Sequence, residues 1–171
     1  MAEPEQPQIY LITPPEIELS RFPDTLARVL DAHDVACIRL ALSTHDETAL
    51  SHAADACREV AHARDGALVV ADHTLLAQRL GLDGVHLGDA VRSVRAARKT
   101  LGADAIVGAF CGASRHDGMT AGEAGADYVL FGPVIPEPAA AIAEMVRVLR
   151  PGRRIAVMVP TAGRAASLIR L

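Results

Sequence analysis

Residues able to do chemistry interrupt the apolar runs of this chain at a few places. Arg39 stands inside Cys37-Ile38-Arg39-Leu40-Ala41-Leu42. An unpaired guanidinium is costly to bury, so Arg39 requires a carboxylate such as Asp72 or an anionic ligand. Asp72 closes another apolar run. It reads either as a contact for metal or substrate or as a structural cap for a helix opening at Thr74. His86 lies between Val85 and Leu87 and, in a strand, points opposite to both. It is either a core histidine bonded to neighbouring backbone or a ligand contact. Gly88 and Asp89 follow it, as a solvated turn or as part of a site. Cys111, Gly112, Ser114, Arg115, His116 and Asp117 form the densest polar cluster. They read as a solvated helix start or as a phosphate nest to which Arg115 and His116 add charge. A thiol near a histidine also suggests a nucleophile, but no third, orienting residue can be named. Gly132, before Pro133, ends one more apolar run.

The elements that must position these residues show in a repeat. Gly81-Leu82-Asp83-Gly84-Val85-His86-Leu87-Gly88 and Gly125-Ala126-Asp127-Tyr128-Val129-Leu130-Phe131-Gly132 both read Gly-x-Asp-x-Val-x-x-Gly, and a partial copy begins at Gly102. The first glycine is expected to end a helix in the left-handed conformation. The aspartate is expected to cap the turn, and the last glycine to let the chain turn beyond the strand. Short aliphatic runs predict strands at 9–13, 36–42, 67–71, 85–87, 106–111, 128–131 and 155–159. Longer amphipathic or Ala-rich stretches predict helices at 22–32, from a Ser or Thr cap near 43–44 to 63, at 74–80, 91–101, 139–149 and 163–171. The stretch after residue 111 is diluted by Gly112, Gly118 and Gly122 and is harder to assign. Strict alternation with wholly apolar strands means a parallel sheet covered by helices, with ligands at the strands' C-terminal ends. About seven β/α units predict one α/β domain over 1–171, a TIM-type barrel that is incomplete. A doubly wound sheet competes, but no GxGxxG follows the first strand and no GxxxxGK[ST] occurs.

Composition narrows the function classes. Half of the 171 residues are apolar and only 3% are aromatic, with no Trp, so the core must be aliphatic and no base-stacking surface is available. A net charge of -4 argues against nucleic acid as a partner. No apolar run approaches the roughly 20 residues of a membrane span. Residues 1–8 lack a basic-then-apolar signal pattern. Three cysteines without metal-ligand spacing suit the reducing cytoplasm.

These residues carry a resemblance. Ile9-Tyr10-Leu11-Ile12-Thr13, Leu68-Val69-Val70-Ala71-Asp72, the Gly-Val-His-Leu-Gly run and Gly125-Ala126-Asp127-Tyr128-Val129-Leu130-Phe131-Gly132-Pro133-Val134 together resemble the thiamine-phosphate synthase and thiazole tautomerase family of (β/α)8 barrels. The resemblance covers about residues 8–136; 137–171 diverge. It implies a cytoplasmic transferase of thiamine biosynthesis that joins a pyrimidine pyrophosphate to a thiazole phosphate with release of pyrophosphate. It implies Mg2+ held by Asp72 and Asp89, and a small phosphate ligand at the strands' C-terminal rim, where the residues themselves offer Arg39, His86, Gly88, Cys111, Ser114, Arg115 and Gly132 as contacts. Several family positions differ. Where the family has Asn-Asp-Arg after the third strand, this chain has Ala71-Asp72-His73. Where it has Gln-x-Asp after His-Leu-Gly, this chain has Asp89-Ala90-Val91. The same resemblance therefore admits a non-catalytic binding or regulatory member. An incomplete barrel leaves strand edges that proteins usually cover, which predicts a homodimer or a marginally stable monomer.

Overall fold

The structure, a computed structural model, describes residues 9–89 and 92–132 and the backbone of 154–157. Seven strands form one parallel sheet in the order of the chain: β1 (Ile9–Ile12), β2 (Val35–Leu40), β3 (Ala67–Ala71), β4 (Gly84–Leu87), β5 (Ile106–Phe110), β6 (Tyr128–Phe131) and β7 (Arg154–Val157). Helices α1 (Phe22–Ala32), α2 (Glu47–His62), α3 (Thr74–Leu80), α4 (Val94–Leu101) and α5 (Arg115–Ala124) lie between successive strands up to β6. Sequential order leaves no switch point, which removes the doubly wound alternative. The sheet is curled. Five strand spacings would put β1 and β6 roughly 24 Å apart if it were flat, yet the hydroxyls of Tyr10 on β1 and Tyr128 on β6 are 2.6 Å apart. The architecture is a TIM-type barrel, incomplete at seven strands as described. The predicted helices at 139–149 and 163–171 lie outside the described residues.

Alternation along each strand separates two layers. Outward residues pack on the helices: Ile38, Leu40, Leu68 and Val70 join Leu26, Leu50, Ala54 and Cys57, while Val85, Leu87, Val107 and Val129 join Val94, Ala97 and Ala121. Fully burying one such aliphatic side chain is worth about 1.5–3 kcal/mol. Inward residues are a smaller set with polar heads, in which Tyr10, Tyr128 and Leu130 pack with Ile12, Cys37, Ile106 and Phe110.

Local chemistry explains most boundaries. Helix α1 begins with Pro23 in its first turn. Helix α2 is capped by Asp46, whose carboxylate accepts from the Thr48 and Ala49 amides, and not by Ser43 or Thr44 as expected. The Thr44 hydroxyl instead accepts from the Asp46 amide and holds the cap residue in place. Helix α5 forms despite its glycines. Ser114 caps it, and Gly118 lets it approach β6 so closely that a Cβ there would lie 2.5 Å from the Phe131 ring.

The repeated motif acts as two bolts. Gly81 (φ 61°) and Gly125 (φ 104°) end their helices in the left-handed region, as expected. Asp83 and Asp127 do not merely cap turns. The Asp83 amide donates to the Leu68 carbonyl, and its carboxylate accepts the Leu68 amide at 2.6 Å. Asp127 does the same with Val107 at 2.8 Å. Each aspartate thus ties its strand's entry to the start of an earlier strand; His62 Nε2 lies 2.8 Å from the Asp83 carboxylate, and Arg98 forms an ion pair with Asp127. Gly88 does not adopt positive φ; a Cβ there would press on the Asp72 carboxylate at 3.2 Å.

Candidate active site at the C-terminal rim

Asp72 follows β3 in the left-handed region at φ 59°, a conformation that Asp tolerates better than most residues. Its amide donates to the His86 carbonyl, and its Oδ1 accepts the Gly88 amide at 2.5 Å. The ends of β3 and β4 are thereby joined through a carboxylate. Asp89 comes next in the chain, exposed, with Oδ2 taking the Ser93 hydroxyl. Asp72, Gly88 and Asp89 therefore form one rim group. The structure excludes the plain capping reading of Asp72: helix α3 begins after His73 with no side-chain cap.

Below this rim, inside the barrel, lie Arg39 and His86. Arg39 is the last but one residue of β2 and sits beside Ile12 and Val69 on the neighbouring strands. No described carboxylate pairs with it, Asp72 included, and its buried Nε has no hydrogen-bond partner among the described residues. His86 is fully buried. Its Nδ1 is 2.9 Å from the Tyr128 hydroxyl, and its Nε2 has no partner among the described residues. This bond to a side chain departs from the backbone-bonded core histidine, one of the two readings its sequence position allows. Burial, helped by the Arg39 guanidinium, pushes its pKa down to about 3, so the imidazole is neutral at physiological pH. Burial likewise pushes the Tyr10 and Tyr128 phenols up, which keeps both hydroxyls protonated.

The β5–β6 part of the predicted site is mostly scaffold. Cys111 turns its thiol into the helix–sheet core, 3.6 Å from the Ala109 carbonyl. Its amide donates to Leu130. Burial, with a smaller effect of Asp117, pushes the thiol up to about 12. It is neither an accessible ligand contact nor an activated nucleophile. The Ser114 amide donates to the Cys111 carbonyl, and its hydroxyl accepts the Asp117 amide. The Ser114 and Asp117 amides are thus engaged in the turn and cap. The buried Gly132 donates its amide to Gly112, and Arg115 opens helix α5 on the surface.

Two functional-site neighbours escaped the sequence reading, Tyr10 and Tyr128. The signal was present: they are the only two tyrosines of the chain, and both fall in predicted strands.

The family model described as thiamine monophosphate synthase matches residues 9–156. The chain belongs to the thiamine monophosphate synthase family. It is 48% identical over 129 residues to the thiamine-phosphate synthase of Rhodospirillum centenum, covering 75% of this chain and 62% of that protein. It is 44% identical over 135 residues to that of Erythrobacter litoralis, covering 77% and 63%. The chain thus spans less than two thirds of these relatives' length. Among solved structures it is similar to the thiamine phosphate pyrophosphorylase from Pyrococcus furiosus, with a TM-score of 0.69 at 21% identity over 89% of this chain and 73% of that one. That likeness supports the barrel fold.

Proposed function

We propose that this member of the thiamine monophosphate synthase family binds a phosphate-bearing thiamine precursor at the C-terminal rim of its open barrel. The ligands are a thiazole phosphate, a pyrimidine pyrophosphate or both, and the reaction type is alkyl transfer with release of pyrophosphate. The observation that carries the reading is the Arg39 guanidinium, which faces the barrel interior without a described carboxylate, beneath a rim bearing Asp72, Gly88 and Asp89. Such a cation is matched by an anionic ligand. The names of the relatives at 41–48% identity point the same way.

Asp72 and Asp89 fit the donor chemistry of Mg2+, which takes one or two carboxylates together with substrate phosphate and water. Each carboxylate has one oxygen engaged, by the Gly88 amide or the Ser93 hydroxyl, and a second left for the ion. Bound there, Mg2+ would offset the charge of the departing pyrophosphate. Arg39 would hold phosphate oxygens, and the Asp72–Gly88 link would keep the rim in register. The cytoplasm suits a chain whose three cysteines are in no disulfide, and no described helix is long and apolar enough to cross a membrane.

A second reading, a non-catalytic binding member, is favoured by the sequence: Ala71, His73 and Val91 stand where the family pattern has Asn, Arg and Asp. The test separates the two. Purified chain is titrated with each precursor and Mg2+ while thermal shift and thiamine phosphate formation are followed. Turnover supports the transferase. Stabilisation without turnover supports the binding member. No stabilisation and no turnover would refute both.

A further inference from the structure

Tyr10, Tyr128 and His86 form a continuous hydrogen-bonded chain through the barrel interior. Tyr10 and Tyr128 hydroxyls are 2.6 Å apart, and Tyr128 lies 2.9 Å from His86 Nδ1. The Tyr128 ring stacks on the imidazole at 5.6 Å and 21°. Gly108, between His86 and Tyr128 in register, provides the space, since a Cβ there would lie 2.0 Å from the Tyr128 ring.

Counting hydrogens decides which way the chain runs. A neutral imidazole carries one N–H. A cationic one would stand fully buried, bonded to a phenol and to no described carboxylate, so the neutral form holds. If His86 donates from Nδ1, Tyr128 must donate to Tyr10. The buried Tyr10 hydroxyl hydrogen is then left without an acceptor, and Nε2 becomes an orphaned acceptor as well. That Nε2 could be satisfied by the Arg39 Nε hydrogen, but both atoms are without partners, so the bond is not made. If Tyr10 donates to Tyr128 and Tyr128 to Nδ1, both hydroxyl hydrogens are used. Only the Nε2 hydrogen remains.

We propose that the Tyr10–Tyr128 pair is a positioning device that holds His86 as the Nε2–H tautomer, so that the interior presents two unpartnered donors, His86 Nε2–H and Arg39 Nε–H, and no orphaned acceptor. Such a wall favours an acceptor-only group, such as a phosphate or pyrophosphate oxygen, over one that carries its own hydrogens. The identity of that ligand rests on the function proposed above; the tautomer does not.

The test reads the tautomer directly. Protein labelled with 15N-histidine gives long-range proton–nitrogen spectra for its seven histidines, and His86→Gln assigns the signal. The expected pattern has Nε2 protonated and Nδ1 unprotonated. In Tyr128→Phe the single tautomer gives way to a mixture, and affinity for inorganic pyrophosphate, measured by calorimetry, falls about tenfold. Tyr10→Phe, which keeps the Tyr128 hydroxyl, shows a smaller shift in the same direction. A His86 protonated at Nδ1 in the parent protein would overturn the proposal, as would a Tyr128→Phe spectrum identical to the parent. Failure of the parent to bind pyrophosphate, with the Nε2–H tautomer present, would support the relay and count against the phosphate reading alone.

Discussion

Replacing Gly108 by alanine should be far more damaging than its size suggests. The added methyl would lie 2.0 Å from Cζ, 2.3 Å from the hydroxyl and 2.4 Å from Cε1 of Tyr128. The ring cannot turn aside within its layer. Tyr10 packs against it at 5.3 Å on one side and His86 stacks at 5.6 Å on another. Overpacking of this kind costs about 1–3 kcal/mol. Moving the ring also breaks the bonds to Tyr10 and His86, each worth about 1 kcal/mol. We expect a loss of about 3–5 kcal/mol, a large share of the roughly 5–15 kcal/mol that stabilises a typical domain. Urea unfolding measures it as a drop in midpoint at constant m. Near-UV dichroism should weaken too, because the chain has no Trp and its two tyrosines are the pair disturbed. Gly122→Ala is the control. It lies in helix α5, where a Cβ meets nothing within 4 Å, so it should stabilise by about 0.5–1 kcal/mol. Combining Gly108→Ala with Tyr128→Ala removes the clash, and the alanine at 108 should then cost at least about 1 kcal/mol less than it does alone. Equal costs in both backgrounds, or a single variant within about 0.5 kcal/mol of the parent, would refute the packing argument.

His86 should make stability fall with acid. Its folded pKa of about 3 lies below the unfolded value of about 6.5, so its contribution is complete above pH 6.5 and is lost toward pH 3 with a limiting slope of about 1.4 kcal/mol per pH unit; a His86→Asn variant with the same slope between pH 7 and 5 would exclude His86 as the cause. Burial pushes the Cys57 and Cys111 thiols up to about 11 and about 12, so both should resist alkylation at pH 8 until the protein is unfolded; native labelling of either, read by mass spectrometry, would contradict that burial.

The fold was more legible than the site, for a physical reason. Strands, helix ends and the parallel arrangement follow from local chemistry: aliphatic runs, Pro23 at a helix start, Gly81 and Gly125 at helix ends. Each signal lies within a few residues of its effect. The boundary of helix α2 was misplaced because three polar residues compete for one cap, and only the fold shows that Asp46 wins while Thr44 supports it. Helix α5 was obscured because glycine counts as a breaker until its partner is known. Gly118 is the point where the helix touches Phe131, on a strand that begins beyond the helix's end.

The site depends on contacts that no window along the chain contains. Arg39 stands out as anomalous from its neighbours alone, and among the described residues no carboxylate pairs with it. Cys111 lost its place because one position along a strand moves a side chain from the barrel interior to the helix layer: Phe110 faces inward and Cys111 outward. The Tyr10–Tyr128 bond joins residues 118 positions apart, and only closure of the sheet brings them together. The curl that forms the barrel is therefore also what sets the hydrogen-bonding state of His86. A change that flattens the sheet would release the histidine without touching it, and this ties chemistry at the rim to the integrity of β1 and β6.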